Sequence, residues 1–187
     1  MDDANKSDHG LTTPLEGSGH HTWDPQAPIA APLCLLQTTV SLQWVDYNGH
    51  MSESCYLLVF GDNSDAFFRF IGIDEAYRAA GHSLYTVQTQ LHNLRECSQG
   101  DPIRLTLQLL DADDKRLHIF HAMFHGTSSE LLATGEQMLV HVDMEAGRSV
   151  PMPPGMQSKI QAIRTAHATL PLPAQAGQPI GIRRKAG

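Results

Sequence analysis

Asp46 heads the one stretch whose residue types and spacing could support acyl chemistry, WVDYNGHMSESCY at residues 44–56. Asn48-Gly49 permits a sharp reversal, because both residues tolerate positive φ. A segment of helical periodicity follows at once, which puts the carboxylate just ahead of a helix. The first N–H groups of a helix have no partners within it. With the helix dipole they favour developing negative charge. Donors so placed could hold the oxyanion of a thioester undergoing attack. The carboxylate could attack the carbonyl or activate a water. An aspartate before a helix also serves as a cap or turn residue, and Asn48-Gly49 alone is a turn signal. Spacing does not separate these readings.

Other candidates carry less. His118, His121 and His125 would share a helix face, but a strand points His118 away from the other two. The surrounding pattern favours a strand, so no metal site is expected. Trp44, Tyr47, Tyr56 and Tyr85 could form an aromatic box for a quaternary ammonium, or could be ordinary packing. Arg95, Lys115 and Arg116 could pair with phosphates, or could be solvated surface charge. Cys55 near a helix start reads as a packed small residue.

The elements that must position Asp46 follow from periodicity. Residues 33–44 read as a strand. Residues 54–71 read as a helix with Leu57, Phe60, Gly61, Ser64, Phe67, Phe68 and Ile71 near one face. Phe70 is also expected in the core. Ser52 or Ser54 is placed to cap the helix and Gly72 to end it. A short helix over about 74–80 follows, then strands near 83–96, 102–111, 115–126 and 131–143. Along the second of these, Ile103, Leu105, Leu107 and Leu109 face one way and Arg104, Thr106 and Gln108 the other. Short turns between the last strands require antiparallel pairing. An 18-residue helix is ~27 Å long, a match for strands of about ten residues. The expected architecture is α+β, one long helix on a curved antiparallel sheet of about five strands. A short amphipathic helix near 156–167 closes it.

Residues 33–168 are expected to be the single folded domain of this 187-residue chain. Residues 1–32 read as a flexible arm and 169–187 as a Pro-rich basic tail. The formal charge of −7 weighs against nucleic-acid or anionic-membrane partners. No apolar run approaches the ~20 residues of a membrane span, and MDDANKSDHG lacks a signal-peptide layout. Three cysteines, Cys34, Cys55 and Cys97, form no disulfide or zinc pattern and fit a cytoplasmic setting.

The segment DYNGHM followed by a Tyr-Leu helix resembles the Asp-x-x-Gly-His motif of hotdog-fold acyl-CoA thioesterases of the 4-hydroxybenzoyl-CoA type. The likeness continues through CYLLVFGDNSDAFFRFIG, GHSLYTVQTQLHNLRE and DDKRLHIFHAMFH, over roughly residues 35–155. That longer pattern is similar to the betainyl-CoA thioesterases of carnitine breakdown. The resemblance implies a hotdog fold and hydrolysis of a short acyl-CoA, betainyl-CoA among the candidates, to the free acid and CoA. It implies Asp46 as the catalytic acid, either nucleophile or activator of water. It further implies substrate contacts from Asn48, Gly49, His50 and Tyr56, no cofactor beyond the CoA of the substrate, and a homodimer or homotetramer. A hotdog hydratase or dehydratase and a non-catalytic acyl-CoA-binding protein are the alternatives. Two features depart from the pattern. Ser52 replaces an Asn common in relatives, and Gln88 and Gln90 stand where the betainyl-CoA group is expected to have Glu and His. Gln88 cannot act as a base.

Overall fold

Alternation along Pro102–Ala112 decides which face of the sheet is buried: Ile103, Leu105, Leu107 and Leu109 are all buried. The computed structural model describes residues 23–182. In chain order it contains β1 (Leu33–Thr39), a 3-10 turn (Leu42–Trp44), α1 (Glu53–Ile71), α2 (Glu75–Ala79), β2 (His82–Asn93), β3 (Pro102–Ala112), β4 (Arg116–His125), β5 (Leu131–Asp143), β6 (Arg148–Ser149) and α3 (Pro154–His167). The strands form one antiparallel sheet in the order β1-β3-β4-β5-β2, with the two-residue β6 beside β5. The sheet curls around α1, as expected of one long helix on an antiparallel sheet.

Local rules set most boundaries, and long-range pairing sets the rest. The expected strand 33–44 ends at Thr39 because its partner β3 begins opposite, at Pro102. Ser41 then caps the 3-10 turn by accepting from the Gln43 N–H. The expected strand 83–96 ends at Asn93, since the N–H groups of both Leu94 and Arg95 turn to the Leu132 carbonyl. Gly72, at φ 104°, ends α1 as anticipated, its N–H bonding back to Phe68 and Arg69.

The buried face of α1 differs from the expected one. Phe60, Ser64, Phe67 and Ile71 are buried, joined by Tyr56, Val59 and Asn63. Leu57 is 45% exposed, because it lies on the flank of the stripe centred on Phe60 and Phe67. Phe68 and Phe70 are half-buried at the margin, and Phe70 packs against Trp23 at 5.4 Å between centroids. α1 comes so close to β5 that a side chain at Gly135 would lie 2.9 Å from the Phe60 ring, so glycine is required there for space.

A polar network is sealed beneath α1. The Asn63 amide donates to His121 Nδ1 at 2.9 Å, and Ser64 Oγ lies 3.2 Å from His121 Nε2 and 2.9 Å from Gln137 Oε1. His118 points to the opposite face, with its Nε2 2.6 Å from Glu136, as strand geometry requires. Burial pushes His121 down to about 4. The unfolded imidazole takes its proton near 6.5. Between pH 6.5 and 4 the unfolded chain therefore binds a proton that the folded chain refuses, and stability falls across that window by roughly 3 kcal/mol. Urea midpoints at pH 7 and pH 4.5 should drop further for the natural chain than for His121→Gln. Equal drops would contradict this.

Residues 1–22 of the arm expected at 1–32 lie outside the described residues. Within the remainder, Trp23 and Ile29 pack against the core and the Ala30 carbonyl meets His167 Nε2 at 3.1 Å. Of the tail expected at 169–187, residues 183–187 also lie outside. Residues 169–182 form neither helix nor strand, yet bond to outward-facing side chains of the sheet.

Candidate active site

The Asp46 turn is a three-residue hairpin loop held at both ends. Gly49 N–H donates to the Asp46 carbonyl and Asp46 N–H to the His50 carbonyl, each at 3.0 Å. Gly49 has φ 81°. This is the hairpin form that places a glycine in the left-handed region after the turn. A side chain at Gly49 would meet open space, so the backbone angle, rather than packing, requires glycine. The Asp46 carboxylate accepts the Asn48 N–H at 2.8 Å through Oδ1. Aspartate is thus a turn residue here, and that role occupies one oxygen.

The base of the hairpin is tied to the chain after β2. Val45 bridges Met51, His50 bridges Ser98, and Met51 N–H donates to the Cys97 carbonyl at 2.8 Å. His50 Nδ1 lies 3.4 Å from Glu96. Ser52 N–H donates to the Trp44 carbonyl, and α1 starts at the next residue. Ser52 occupies the N-cap position but makes no side-chain cap bond; its hydroxyl sits 3.5 Å from that of Ser54. The expected cap is therefore not formed, and the first turn of α1 keeps N–H groups that no side chain caps.

Tyr56 is buried, and its hydroxyl donates to the Arg95 carbonyl at 3.2 Å with Cys97 Sγ 3.5 Å away. Burial, reinforced by the Cys97 thiol, pushes the pKa of this hydroxyl up, so it remains a donor. Tyr56→Phe should cost about 1 kcal/mol, the net worth of one hydrogen bond, read as a shift of the urea midpoint. No shift would mean that the hydroxyl does not hold the 95–97 segment. That segment has no signal of its own in the sequence, because its partners are 39 to 46 residues away.

A cleft of about 350 Å³ opens here, lined by Met51, Glu53, Tyr56, Asn93 and Arg95 among others. Arg95 is its basic residue and lies 3.6 Å from Glu130. Arg116, also considered for phosphate, is paired with Asp113 at 2.5 Å on another part of the surface. The four aromatics considered for a box do not form one within a single chain. Tyr47 is 97% exposed, Tyr85 lies half-exposed on β2, and no ring contact joins any two of them among the described residues. Gln88 and Gln90 line a separate cleft of about 300 Å³ with His118, Glu136 and Gln178. No cluster of three or more His, Cys, Asp or Glu able to hold a metal occurs among the described residues.

The family model of the thioesterase-like superfamily matches residues 40–160. Among curated relatives, the L-carnitine dehydrogenase/betainyl-CoA thioesterase of Rhizobium meliloti is 47% identical over 155 residues, covering 83% of this chain and 31% of the relative. The betainyl-CoA thioesterase of Pseudomonas aeruginosa is 42% identical over 151 residues, covering 80% of this chain and 95% of the relative. The chain thus spans about a third of the length of the dehydrogenase-containing relatives. A Staphylococcus aureus protein solved in complex with CoA superposes with a TM-score of 0.77 at 26% identity, over 84% of this chain and all of that one. A Pseudomonas putida protein superposes with a TM-score of 0.72 at 30% identity, over 83% of this chain and 99% of that one.

Proposed function

The chain belongs to the thioesterase-like superfamily, and from that premise we propose that it hydrolyses a short acyl-CoA thioester to the free acid and CoA, with betainyl-CoA as the preferred substrate. The observation that carries this reading is the Asp46 hairpin set directly before an α1 terminus without a side-chain cap. In this account Asp46 delivers oxygen to the thioester carbon, directly as a nucleophile or through a water whose proton it takes. The α1 N–H groups receive the charge that develops on the carbonyl oxygen. The C–S bond then breaks, and the thiolate of CoA leaves and is protonated; on the nucleophilic route water then hydrolyses the acyl–Asp46 anhydride, which releases the acid and restores the carboxylate. Asn48 and Gly49 shape the turn, His50 ties it to Ser98, and Tyr56 forms part of the wall against the acyl group. Arg95 is the basic residue best placed for a CoA phosphate.

The betainyl assignment rests on the two relatives named above and on nothing in the site itself. Their names carry the word betainyl, and one of them aligns over nearly its whole length. Gln88 and Gln90 do not bear on Asp46 directly, since they line the other cleft. CoA is the only cofactor-like group the reaction requires, and it arrives with the substrate. We place the reaction in the cytoplasm, in keeping with three free cysteines, and expect no nucleic-acid or membrane partner. No helix among the described residues is long and apolar enough to cross a membrane. A homodimer or homotetramer is the expected assembly, because β2 leaves one sheet edge open.

A panel of acyl-CoAs, including acetyl-, butyryl-, benzoyl- and betainyl-CoA, tests the reading by release of free thiol. Hydrolysis of at least one member is expected, fastest with betainyl-CoA. Preference for a compact uncharged acyl group would remove the betainyl assignment and leave the thioesterase. Inertness toward all four would remove both.

A further inference from the structure

Both arms of the Asp46 hairpin rest on one turn, at 98–101, which leads directly into β3. The turn closes on itself, the Asp101 N–H donating to the Ser98 carbonyl at 3.1 Å with Gly100 at φ 85°. On the incoming arm, Val40 N–H donates to the Asp101 carbonyl at 2.9 Å, and the Val40 carbonyl accepts the Gly100 N–H at 3.0 Å. On the outgoing arm, His50 bridges Ser98, and Met51 N–H donates to Cys97 just before the turn. The turn therefore meets the chain before Asp46, at Val40, and after it, at His50. Because β3 is an interior strand, paired with β1 and β4, the turn carries the rigidity of the sheet to the hairpin.

The side chain of Asp101 locks this turn. Its Oδ2 accepts the Ser98 N–H at 2.7 Å, a short bond of the kind a charged acceptor makes. Its Oδ1 faces His125 Nε2 at 3.8 Å. His125 is itself oriented, since its Nδ1 accepts the N–H groups of Thr127 and Ser128, each at 3.2 Å. The carboxylate thus lies between the β4–β5 loop and the backbone of the residue that faces His50. Asp101 does not line the cleft beside Tyr56, so its route to the reaction is through the hairpin. We propose that Asp101 is a positioning residue: by holding the Ser98 N–H it fixes the turn that sets the Asp46 carboxylate against the first turn of α1. This rests on the thioesterase reading above and adds to it a residue that acts through Asp46.

The test is kcat and KM of the full chain on whichever of the four acyl-CoAs above it hydrolyses fastest, with Asp101→Ala and Asp101→Asn, each in the natural and the Asp46→Asn background. Circular dichroism at the assay temperature establishes that each variant is folded. Asp101→Ala is expected to lower kcat by ~10-fold with KM nearly unchanged, since a small misplacement of a reacting group costs rate rather than binding. Asp101→Asn keeps an acceptor for the Ser98 N–H and should restore kcat to within about two-fold of the natural chain. In the Asp46→Asn background, Asp101→Ala should change the residual rate by less than about two-fold, because residues acting through one another are non-additive. An unchanged kcat in Asp101→Ala would overturn the proposal and leave the thioesterase standing. So would an equal loss in both backgrounds, the mark of general loosening, an Asp101→Asn as impaired as Asp101→Ala, or an Asp101→Ala that does not fold. A natural chain inert toward all four substrates would overturn the reaction and this role together.

Discussion

Asp46→Asn lowers kcat for acyl-CoA hydrolysis by at least ~100-fold, the lower range for removing one acid–base group. The substitution suits the site because the two roles of Asp46 separate in it. One carboxylate oxygen accepts the Asn48 N–H and holds the turn. An asparagine side-chain oxygen accepts the same bond, so the hairpin and the start of α1 persist. What disappears is the negative charge and with it the ability to take a proton or form an acyl bond. KM should change little and the melting temperature should stay within a degree or two. A variant as active as the natural chain would leave Asp46 with the turn role alone.

Arg69→Leu should destabilise the fold by about 3–5 kcal/mol, the range for breaking a buried ion pair by removing one partner. The Arg69 side chain is 3% exposed; its Nε donates to Asp65 at 2.8 Å and its Nη1 to Glu75 at 2.6 Å. It thereby joins the last turns of α1 to the first turn of α2. Leucine has a similar apolar volume but leaves the Asp65 carboxylate, itself 10% exposed, with Arg78 at 3.9 Å. Urea unfolding measures the loss directly. Since α1 carries the site at its other end, a variant that still folds should lose stability well before it loses kcat. A loss of about 1 kcal/mol or less, the scale of a surface pair, would show that this pairing is not holding the helix.

The sequence was most legible where chemistry is local. Alternation along Ile103–Leu109 predicted the buried face of β3, and Gly72 predicted the end of α1, because each depends on neighbours within a few residues. Asn48-Gly49 likewise predicted the reversal that presents Asp46. Features decided at a distance were not legible. β1 stops at Thr39 because Pro102 begins its partner, and the 95–97 segment is held by Tyr56 and Met51. Leu57 and Phe60 both suit an apolar stripe, and only the curl of the sheet determines which of them it covers. The uncapped state of α1 could not be read either, since Ser52 is an ideal cap by residue type. Its backbone is instead committed to Trp44.

The segment after α3 explains one departure from the family pattern and leaves another. Gln90 donates through its amide to the Gln178 carbonyl of that segment, which a glutamine does without carrying charge into the cleft. Gln88 lines the same cleft without such a bond, and nothing in the structure explains its choice. In that cleft His118 Nε2 lies 2.6 Å from Glu136, whose side chain is only 12% exposed. This second polar cluster lies on the sheet face away from α1, whereas the proposed reaction belongs to the turn before it.

The most direct test of the account is the initial rate of CoA thiol release from betainyl-CoA by the natural chain, set against its neutral isostere tert-butylacetyl-CoA at equal concentration. Betainyl-CoA is expected to be hydrolysed with a kcat/KM at least ~10-fold above that of the isostere, about 1.4 kcal/mol of discrimination for the positive charge. No thiol release from either substrate would contradict it.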